Sequence, residues 1–537
     1  MTAVANCSRR LLTRSPSAAA LVLLPARPQA ARACALLGAA ASIPLCLNSR
    51  TPSSSASPFS TSSSALAKNN SHYRPGRNTQ AIRNKKKQIN YGKAIAPGER
   101  KAYRKRIVLS NNNALEVPGL QPLTSAHLLG TTTTHTTSQS PDGTAIDPVA
   151  QFATAAIPPP CDGRIVTLPD PLIDQLRAAQ AFKPTQNFAL FRHPSLLVRA
   201  ETTELVRKIQ TQVTEKKGTV RVVVDGKRIA GKSTLLMQAM SYGFLNNYLV
   251  FNVPEAQELT NGGLDYTVAP NTDPVQYIQP TATLRFLHLF IEANSALLGR
   301  LKTAHSHDRL NNPVEAGSTL LELCQAAKEA DNAWPVLQAV WSELTDPAPV
   351  GEDGTKLERV PILFTVDGLS HIMRHTAYRT PAFTKVHAHD LLLVRLFVEA
   401  LGGATNFPHG AAIVAATTRG NSPITPSLEL ALAQRLAEQA NATRTADEAK
   451  EVSPVREPYG KLYDDRAEAA LRTVDVLKLS GVSKPEARSL MEYWAASGVV
   501  RGTITEQEVA ALWTLSSNGL VGEMERAALL SIKPAHK

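Results

Sequence analysis

The first 98 residues of this chain contain no aspartate and no glutamate, although they carry 14 of its 58 lysines and arginines. All 45 acidic residues lie in the remainder, where the charges nearly balance, so the formal net charge of +13 belongs to the N-terminal fifth. Such an asymmetry is typical of targeting segments and of arms that contact nucleic acids.

Cysteines and long apolar runs are also scarce. The five cysteines are Cys7, Cys34, Cys46, Cys161 and Cys324. No two of them have the spacing of metal ligands or suggest a disulfide framework, which favours a reducing compartment. No run of eighteen apolar residues occurs, so we predict no membrane span. The chain is 537 residues long and 43% apolar, enough for about two to four domains with a sizeable core.

Residues 1–67 bear arginines, are rich in serine and alanine, and lack acids. This composition is typical of a mitochondrial transit peptide. We predict its removal between about Arg50 and Ser64, and N-terminal sequencing of the mature protein tests this. A disordered nuclear or cytosolic tail is the alternative.

Residues 68–106 form a second basic block with one acid and three interleaved tyrosines, Tyr73, Tyr91 and Tyr103. Cations displace counterions from a phosphate backbone, and tyrosine rings stack on bases. We therefore predict an RNA-binding arm, with a solvated linker as the alternative. The candidate RNA contacts are Arg83, Lys85, Lys86, Lys87, Arg100, Lys101, Arg104, Lys105 and Arg106.

A glycine-rich segment, Gly226-Lys-Arg-Ile-Ala-Gly-Lys-Ser233, matches the pattern G-x-x-x-x-G-K-[ST]. We refer to residues 226–233 as the glycine loop. The β-branched residues 220–224 predict a buried strand before it, and the apolar stripe in residues 234–240 predicts a helix after it. A strand, a glycine loop and a helix N-terminus together present backbone N–H groups to a phosphate. The alternative is a chance match.

The last two residues of the loop fit this chemistry. Lys232 would reach the β- and γ-phosphates of a nucleotide, and Ser233 would ligate Mg²⁺. The predicted nucleotide-binding residues are Gly226, Lys227, Arg228, Ile229, Ala230, Gly231, Lys232, Ser233 and Thr234.

Two later apolar runs end in polar residues. Residues 360–366 predict a strand that ends in Asp367, the Walker B pattern, which would hold Mg²⁺ beside the loop. Residues 410–416 predict another strand, after which Thr418 is a candidate γ-phosphate sensor and Arg419 an alternative. Strand-terminal hydroxyls without a ligand are an equally good interpretation of Thr418.

We predict an α/β fold: an AAA-like P-loop NTPase sheet flanked by helices, a mainly helical C-terminal lid or winged-helix-like module, and a disordered basic N-terminus. Strands are expected at residues 248–253 and 360–367. Capping boxes predict helices beginning after Ser483 and after Thr505. The other predicted helices cover residues 172–181, 194–217, 281–301, 318–344, 428–439 and 464–479. The predicted domains are the transit peptide (1–67), the basic RNA-binding arm (68–106), an N-terminal extension with helices that dock on the core (107–217), a P-loop nucleotide-binding domain (218–426) and a helical C-terminal domain (427–537).

The chain resembles the death-associated protein three family of mitochondrial small-subunit ribosomal proteins, in a fungal form. The resemblance covers roughly residues 106–529. It rests on the glycine loop, on Tyr248-Leu-Val-Phe-Asn-Val-Pro-Glu-Ala256, on residues 360–369 and on His409-Gly-Ala-Ala-Ile-Val414. The Val-Pro-Glu-Ala run and the Asp367-Gly368 pair are more specific than a generic P-loop.

The resemblance implies an AAA-like domain in the mitochondrial small ribosomal subunit with bound GTP or GDP and Mg²⁺. It further implies contacts with small-subunit ribosomal RNA, with neighbouring ribosomal proteins and, through a bridge, with the large subunit. The guanine preference comes from the resemblance alone, because no N-K-x-D motif is present and the residues leave ATP open.

Hydrolysis needs more than binding, since a water must be oriented and transition-state charge stabilised. Gly368 follows Asp367, where many AAA-type ATPases carry glutamate, and neither Ser370 nor His371 is an evident base. Arg374, Arg379 and Arg419 are arginine-finger candidates that lack assigned geometry. We therefore interpret the nucleotide as structural or regulatory. The alternatives are an active AAA- or STAND-type NTPase acting as a mitochondrial switch, and a nucleic-acid-binding protein with an empty loop.

Overall fold

A computed structural model describes residues 107–130, 163–270, 272–350, 354, 356–422, 424–443, 452–460, 463–500 and 504–530. The predicted transit peptide (1–67) and basic arm (68–106), with all nine candidate RNA contacts, lie outside the described residues. The description below concerns the body of the chain that contains the glycine loop.

The strands that the described residues form fall into one central sheet and three small ones. In chain order they are β1 Gln121–Pro122, β2 Arg164–Thr167, β3 Ser195–Val198, β4 Thr219–Gly226, β5 Leu249–Val253, β6 Thr267–Val268, β7 Tyr277–Ile278, β8 Ile362–Asp367, β9 His375–Arg379, β10 Lys385–His387, β11 Ala411–Ala416 and β12 Asp475–Leu479.

The central sheet has five strands in the order β12-β4-β11-β8-β5, and each neighbouring pair is parallel. The strand that leads into the glycine loop, β4, is thus separated from the strand that ends in Asp367, β8, by β11 alone. Because parallel strands end at the same edge of a sheet, the loop and Asp367 meet at the carboxyl edge. The predicted strands at residues 220–224, 248–253, 360–367 and 410–416 are confirmed as β4, β5, β8 and β11.

Helices cover both faces of this sheet. In chain order the helices of the described residues are α1 Ser125–Leu129, α2 Asp170–Ala178, α3 Ala200–Ile209, α4 Lys232–Leu245, α5 Ala256–Thr260, α6 Pro280–Leu298, α7 Leu320–Gln325, α8 Ala330–Thr345, α9 Leu369–Ile372, α10 Leu392–Gly402, α11 Pro426–Thr443, α12 Asp465–Ala470, α13 Lys484–Ala496, α14 Glu506–Leu515 and α15 Val521–Leu530.

Alternate residues of the buried strands pack into different hydrophobic cores, one on each face of the sheet. Val222 and Val224 pack with α4 and the N-terminal extension, whereas Val223 packs on the opposite face with α6, α8 and α10. This three-layer arrangement explains why β4 is apolar without alternation, since parallel strands are buried on both faces. Helix α4 is buried from Leu235 to Phe244, so its N-terminus is held rigidly under the glycine loop.

The start of the N-terminal extension, residues 107–130, docks on this body. Leu109, Leu123 and Leu128 are at most 5% exposed within the core that contains α4. Strand β1 pairs with β2 in parallel, and β2 pairs with β3 antiparallel, giving a small sheet beside the body.

Three helix predictions are wrong in part. Residues 195–198 form strand β3 before α3 begins, and a π-helical turn, Gln210–Glu215, follows α3. The predicted helix 318–344 is two helices, because Glu329 has extended backbone (φ −114°, ψ 153°) and the turn lets both α7 and α8 pack on α6.

The third correction concerns the C-terminal part. Residues 464–479 form the short helix α12 and then β12, which pairs with β4 and gives the central sheet its fifth strand. The sheet therefore draws a strand from beyond the predicted boundary at residue 426. The two capping boxes are confirmed: Ser483 with Glu486 at α13, and Thr505 with Glu508 at α14.

Helices α13–α15 form a small module with its own core, which includes Met491, Trp494 and Met524. Phe191, from the segment before β3, joins this core with its ring 5.0 Å from that of Tyr493. None of the described helices combines the length and apolarity needed to cross a bilayer.

Candidate functional site

The backbone of the glycine loop needs glycine at both of its glycine positions. A Cβ added to Gly226 would lie 2.5 Å from the carbonyl oxygen of Leu479 at the end of β12. Gly231 has φ +100°, a left-handed conformation that L side chains rarely adopt, and it caps α4. The loop is therefore wedged between β12 and the N-terminus of α4.

Lys232 is folded back into this loop. Its Nζ donates to the carbonyl oxygens of Gly226 (2.6 Å) and Lys227 (2.8 Å), and the residue is 9% exposed. Burial lowers the pKa of Lys232; Arg419 adds to this, while Asp225 and Asp367 oppose it. The ammonium thus stands at the centre of the loop, where a phosphate oxygen would replace carbonyl acceptors.

Ser233 and Asp367 meet across the carboxyl edge of the sheet. The Ser233 hydroxyl donates to Asp367 Oδ2 over 2.6 Å, although 134 residues separate them in the chain. The structure thus brings together the two predicted metal ligands, which come from the loop and from β8. Both groups offer the oxygen donors that Mg²⁺ prefers.

The other predicted loop residues differ in exposure. Lys227 and Arg228 are exposed at the tip, Ile229 and Thr234 are half-buried, and Ala230 is 1% exposed. The backbone N–H groups of the first turn of α4 have no intrahelical acceptor, as at every helix N-terminus. They supply the anion-binding donors that the sequence pattern predicts.

Asp225 directly precedes the loop and is held by residues that follow β11, the neighbouring strand. Its carboxylate accepts hydrogen bonds from the Thr417 hydroxyl (2.7 Å) and from Nε and Nη2 of Arg419. Arg419 also pairs with Glu429 at 2.8 Å. Its guanidinium is therefore held on carboxylates beside the loop.

Thr418, the candidate γ-phosphate sensor, is half-buried beyond the end of β11. Its backbone N–H donates to the Ser370 hydroxyl over 3.1 Å. Its Oγ1 lies 3.5 Å from where a Cβ on Gly368 would be. Thr418 thus adjoins the residues that follow Asp367, and it is Thr417 that contacts Asp225.

The residues after Asp367 do not form an evident hydrolytic centre. Gly368 has φ +96°, so a glutamate at that position would be strained. His371 is 4% exposed and its Nε2 lies 3.2 Å from Asn421 Oδ1. Burial lowers the pKa of His371, and the contact with Asn421 opposes this.

Sequence reasoning missed three parts of this site. Buried Arg199 donates from Nη1 to the carbonyl of Ala230 (3.1 Å) and from Nη2 to that of Ser480 (3.1 Å), tying the loop to the end of β12. The backbone N–H of Gly522 donates to the Ile229 carbonyl over 3.3 Å, so the start of α15 lies on the loop tip. Lys183 contacts Asp367 directly. No local motif marks these residues, because only the tertiary fold brings them to the loop.

The residues at this edge of the sheet fit a Mg²⁺-bound nucleotide. Positive groups for the phosphates come from the Lys232 ammonium and from the backbone N–H groups of the first turn of α4. Oxygen ligands for the metal come from Ser233 and Asp367. Lys232 and the α4 amides would hold the phosphates; Ser233 and Asp367 would hold the metal, whose charge would offset that of the phosphates. No group of three His, Cys, Asp or Glu side chains in the described part of the chain forms a separate metal site.

A cleft of about 590 Å³ lies next to α9 and the β9–β10 hairpin. Its lining includes Arg374, His375 and Lys385, and no acidic residue. No residue of the glycine loop lines it, and neither does Asp367. This cleft is therefore distinct from the candidate phosphate site.

The fold and this site define an α/β protein in which a five-stranded parallel sheet carries a glycine loop and a facing carboxylate at its carboxyl edge. The sequence model of the family described as mitochondrial ribosomal death-associated protein 3 matches residues 196–527. This match covers more than half of the chain, including the glycine loop and Asp367. The chain belongs to this family.

Two relatives agree with the family assignment. The small ribosomal subunit protein mS29 of Neurospora crassa is 47% identical over 449 residues, covering 84% of this chain and 86% of the relative. The protein of the same description from Schizosaccharomyces pombe is 26% identical over 341 residues, covering 63% of this chain and 66% of the relative.

Proposed function

We propose that this protein is a structural component of the mitochondrial small ribosomal subunit whose glycine loop holds a purine nucleotide with Mg²⁺. The ribosomal role follows from family membership, and the mitochondrial ribosome in the matrix is its location. Its partners are then small-subunit ribosomal RNA and neighbouring ribosomal proteins. A contact that bridges to the large subunit, implied by the resemblance, remains part of the proposal.

One observation carries the nucleotide half of the proposal: Ser233 Oγ lies 2.6 Å from Asp367 Oδ2 beside the loop that encloses Lys232. These two residues come from distant parts of the sequence, and the parallel strands bring both to the same edge of the sheet. Together the loop hydroxyl and the strand-end carboxylate would hold Mg²⁺, whose charge would offset that of the phosphates. We propose GTP or GDP as the nucleotide, and the choice of guanine rests on the resemblance.

We propose that the bound nucleotide stabilises the fold and is not turned over efficiently. The left-handed backbone at Gly368 disfavours a glutamate beside Asp367, and Arg419 is paired with Asp225 and Glu429. A ligand present at a hundred times its dissociation constant contributes about 2.7 kcal/mol to stability. That amount is significant for a domain of ordinary marginal stability.

Lys232→Ala tests the proposal. The variant should lose Mg²⁺–nucleotide binding in calorimetric titration, melt at lower temperature when nucleotide is present, and sediment less with the small subunit in gradients of mitochondrial lysate. Lys208→Ala, which removes a half-buried lysine paired with Glu204 on α3, is the matched control. Unchanged binding, melting and sedimentation of Lys232→Ala would contradict the proposal.

A further inference from the structure

The segment between α2 and β3, residues 180–191, crosses the carboxyl edge of the sheet; we refer to it as the strap. From the strap, Lys183 directs its ammonium onto Oδ2 of Asp367. The same oxygen accepts the Ser233 hydroxyl. One carboxylate oxygen thus serves both the loop hydroxyl and a lysine at the point assigned above to the metal.

The strap is anchored, so the position of Lys183 is built into the fold. Phe182 and Phe188, on either side of the lysine, are 5% and 7% exposed, and their rings meet edge to face at 5.5 Å. The backbone N–H of Lys183 donates to Gln186 Oε1 over 2.8 Å. The backbone is therefore held on both sides of the lysine, while its four-carbon side chain can turn.

The charges at this point allow one cation at a time on the carboxylate. A Mg²⁺ ion between Ser233 and Asp367 carries two positive charges to the place where the Lys183 ammonium lies. Repulsion would then move the ammonium off the carboxylate, and the terminal phosphate of a nucleoside triphosphate would offer it a new anion. A diphosphate lacks that anion, so the displaced lysine would find no new partner in place of Asp367.

We propose that Lys183 is a phosphate ligand that occupies Asp367 when the metal is absent and contacts the γ-phosphate of a bound triphosphate. This inference rests on the proposed function and adds the residue that distinguishes triphosphate from diphosphate. The lysine competes with Mg²⁺ for the carboxylate and strengthens triphosphate binding once Mg²⁺ has taken its place.

The competing interpretation is a structural ion pair that fixes the strap. The Lys183 side chain is 29% exposed and that of Asp367 10%, so such a pair would contribute to stability. Loss of a structural pair would lower the melting temperature without changing the ratio of the triphosphate and diphosphate affinities. The Mg²⁺ requirement and this ratio therefore separate the two interpretations.

The test uses the full mature chain, fluorescent GTP and GDP analogues, and a Mg²⁺ titration. Lys183→Met should bind the triphosphate about tenfold more weakly at saturating Mg²⁺, the effect of losing one hydrogen bond between charged groups. Its diphosphate affinity at saturating Mg²⁺ should not fall, and half-maximal diphosphate binding should need several-fold less Mg²⁺. Lys183→Arg should restore the triphosphate preference in part. Lys208→Met on α3 should behave as the wild type.

The outcomes are distinguishable. An unchanged triphosphate-to-diphosphate ratio with an unchanged Mg²⁺ requirement in Lys183→Met overturns this inference and leaves the proposed function intact. Failure of the wild type to bind either analogue overturns both. A folded Lys183→Met protein that shows only a lower melting temperature identifies the contact as a structural ion pair.

Discussion

Gly226 shows how strongly one residue of the loop is constrained. A Cβ there would lie 2.5 Å from the Leu479 carbonyl oxygen, and backbone atoms of a central sheet cannot move aside cheaply. We expect Gly226→Ala to destabilise the fold by about 1–3 kcal/mol, in the range of overpacking, and to abolish nucleotide binding. Denaturant unfolding and calorimetric titration measure the two effects.

The matched control is Gly299→Ala, at the end of α6. Gly299 has φ −71°, and an added Cβ would lie 3.5 Å from the Ser295 carbonyl, an ordinary contact. This variant should keep both stability and binding. Equal behaviour of the two variants would show that β12 does not press on the loop.

His389 makes the fold sensitive to acid. Burial lowers its pKa from 6.5 to about 3, with neighbouring His387 and Arg466 adding to the effect and Asp464 opposing it. Between these values the unfolded chain binds a proton that the folded chain does not, so stability falls as the pH drops below about 6.5. This one group should lower the free energy of unfolding by about 2 kcal/mol between pH 7 and pH 5.

Urea unfolding at several pH values checks this prediction. His389→Leu should unfold with a smaller dependence on pH than the wild type, whatever its stability at pH 7. The control His193→Leu changes an exposed histidine and should keep the wild-type pH dependence. Parallel pH profiles for the wild type and His389→Leu would contradict the assignment.

Among the secondary-structure elements, β4, α4 and β8 could be predicted from the sequence, because their signals are local. β-Branched runs, a glycine pattern and an apolar helix each lie within a few consecutive residues. Strand β12 could not be predicted from the sequence. Its five residues mix apolar side chains with the charged Asp475 and Lys478, as is typical of an edge strand. In a short segment that mixture also fits a helix, and only pairing with β4 decides between them.

The same reasoning applies to the site. Lys232, Ser233 and Asp367 were found from the sequence because each ends or begins a recognisable run. Lys183, Arg199 and Gly522 lie far from any motif and reach the loop only through the packing of the strap, of α3 and of α15. Long-range contacts of this kind leave no periodic signal in a single sequence.

The contact between α15 and the loop gives a prediction for the C-terminal module. A Cβ added to Gly522 would lie 2.8 Å from the Ile229 Cβ. Gly522→Val should therefore lift α15 from the loop, increase amide exchange in both segments and weaken nucleotide binding. Ala511→Val, at an exposed position of α14, is the control. Unaltered exchange at the loop in Gly522→Val would show that the module does not support the site.

For the whole molecule, the charge distribution predicts how the protein meets RNA. Residues 68–106 carry 13 lysines and arginines and one acid. Removing them should lower RNA affinity and reduce the slope of log affinity against log salt, because fewer counterions are released. Filter binding at several salt concentrations measures the slope.

A matched deletion separates the two basic segments. Removal of residues 1–67 alone should change RNA affinity and the salt slope less, since that segment carries six arginines and residues 68–106 carry 13 lysines and arginines. Equal salt slopes for the full chain and the chain lacking residues 68–106 would contradict the predicted arm.

The central claim is that a ribosomal protein of this family holds a purine nucleotide in the loop that surrounds Lys232. The most direct measurement is mass spectrometry of nucleotide released on denaturing the purified protein, compared with Lys232→Ala prepared in parallel. The account predicts close to one purine nucleotide per wild-type chain and almost none from the variant. An absence of nucleotide from the wild type, or equal amounts from both proteins, would contradict it.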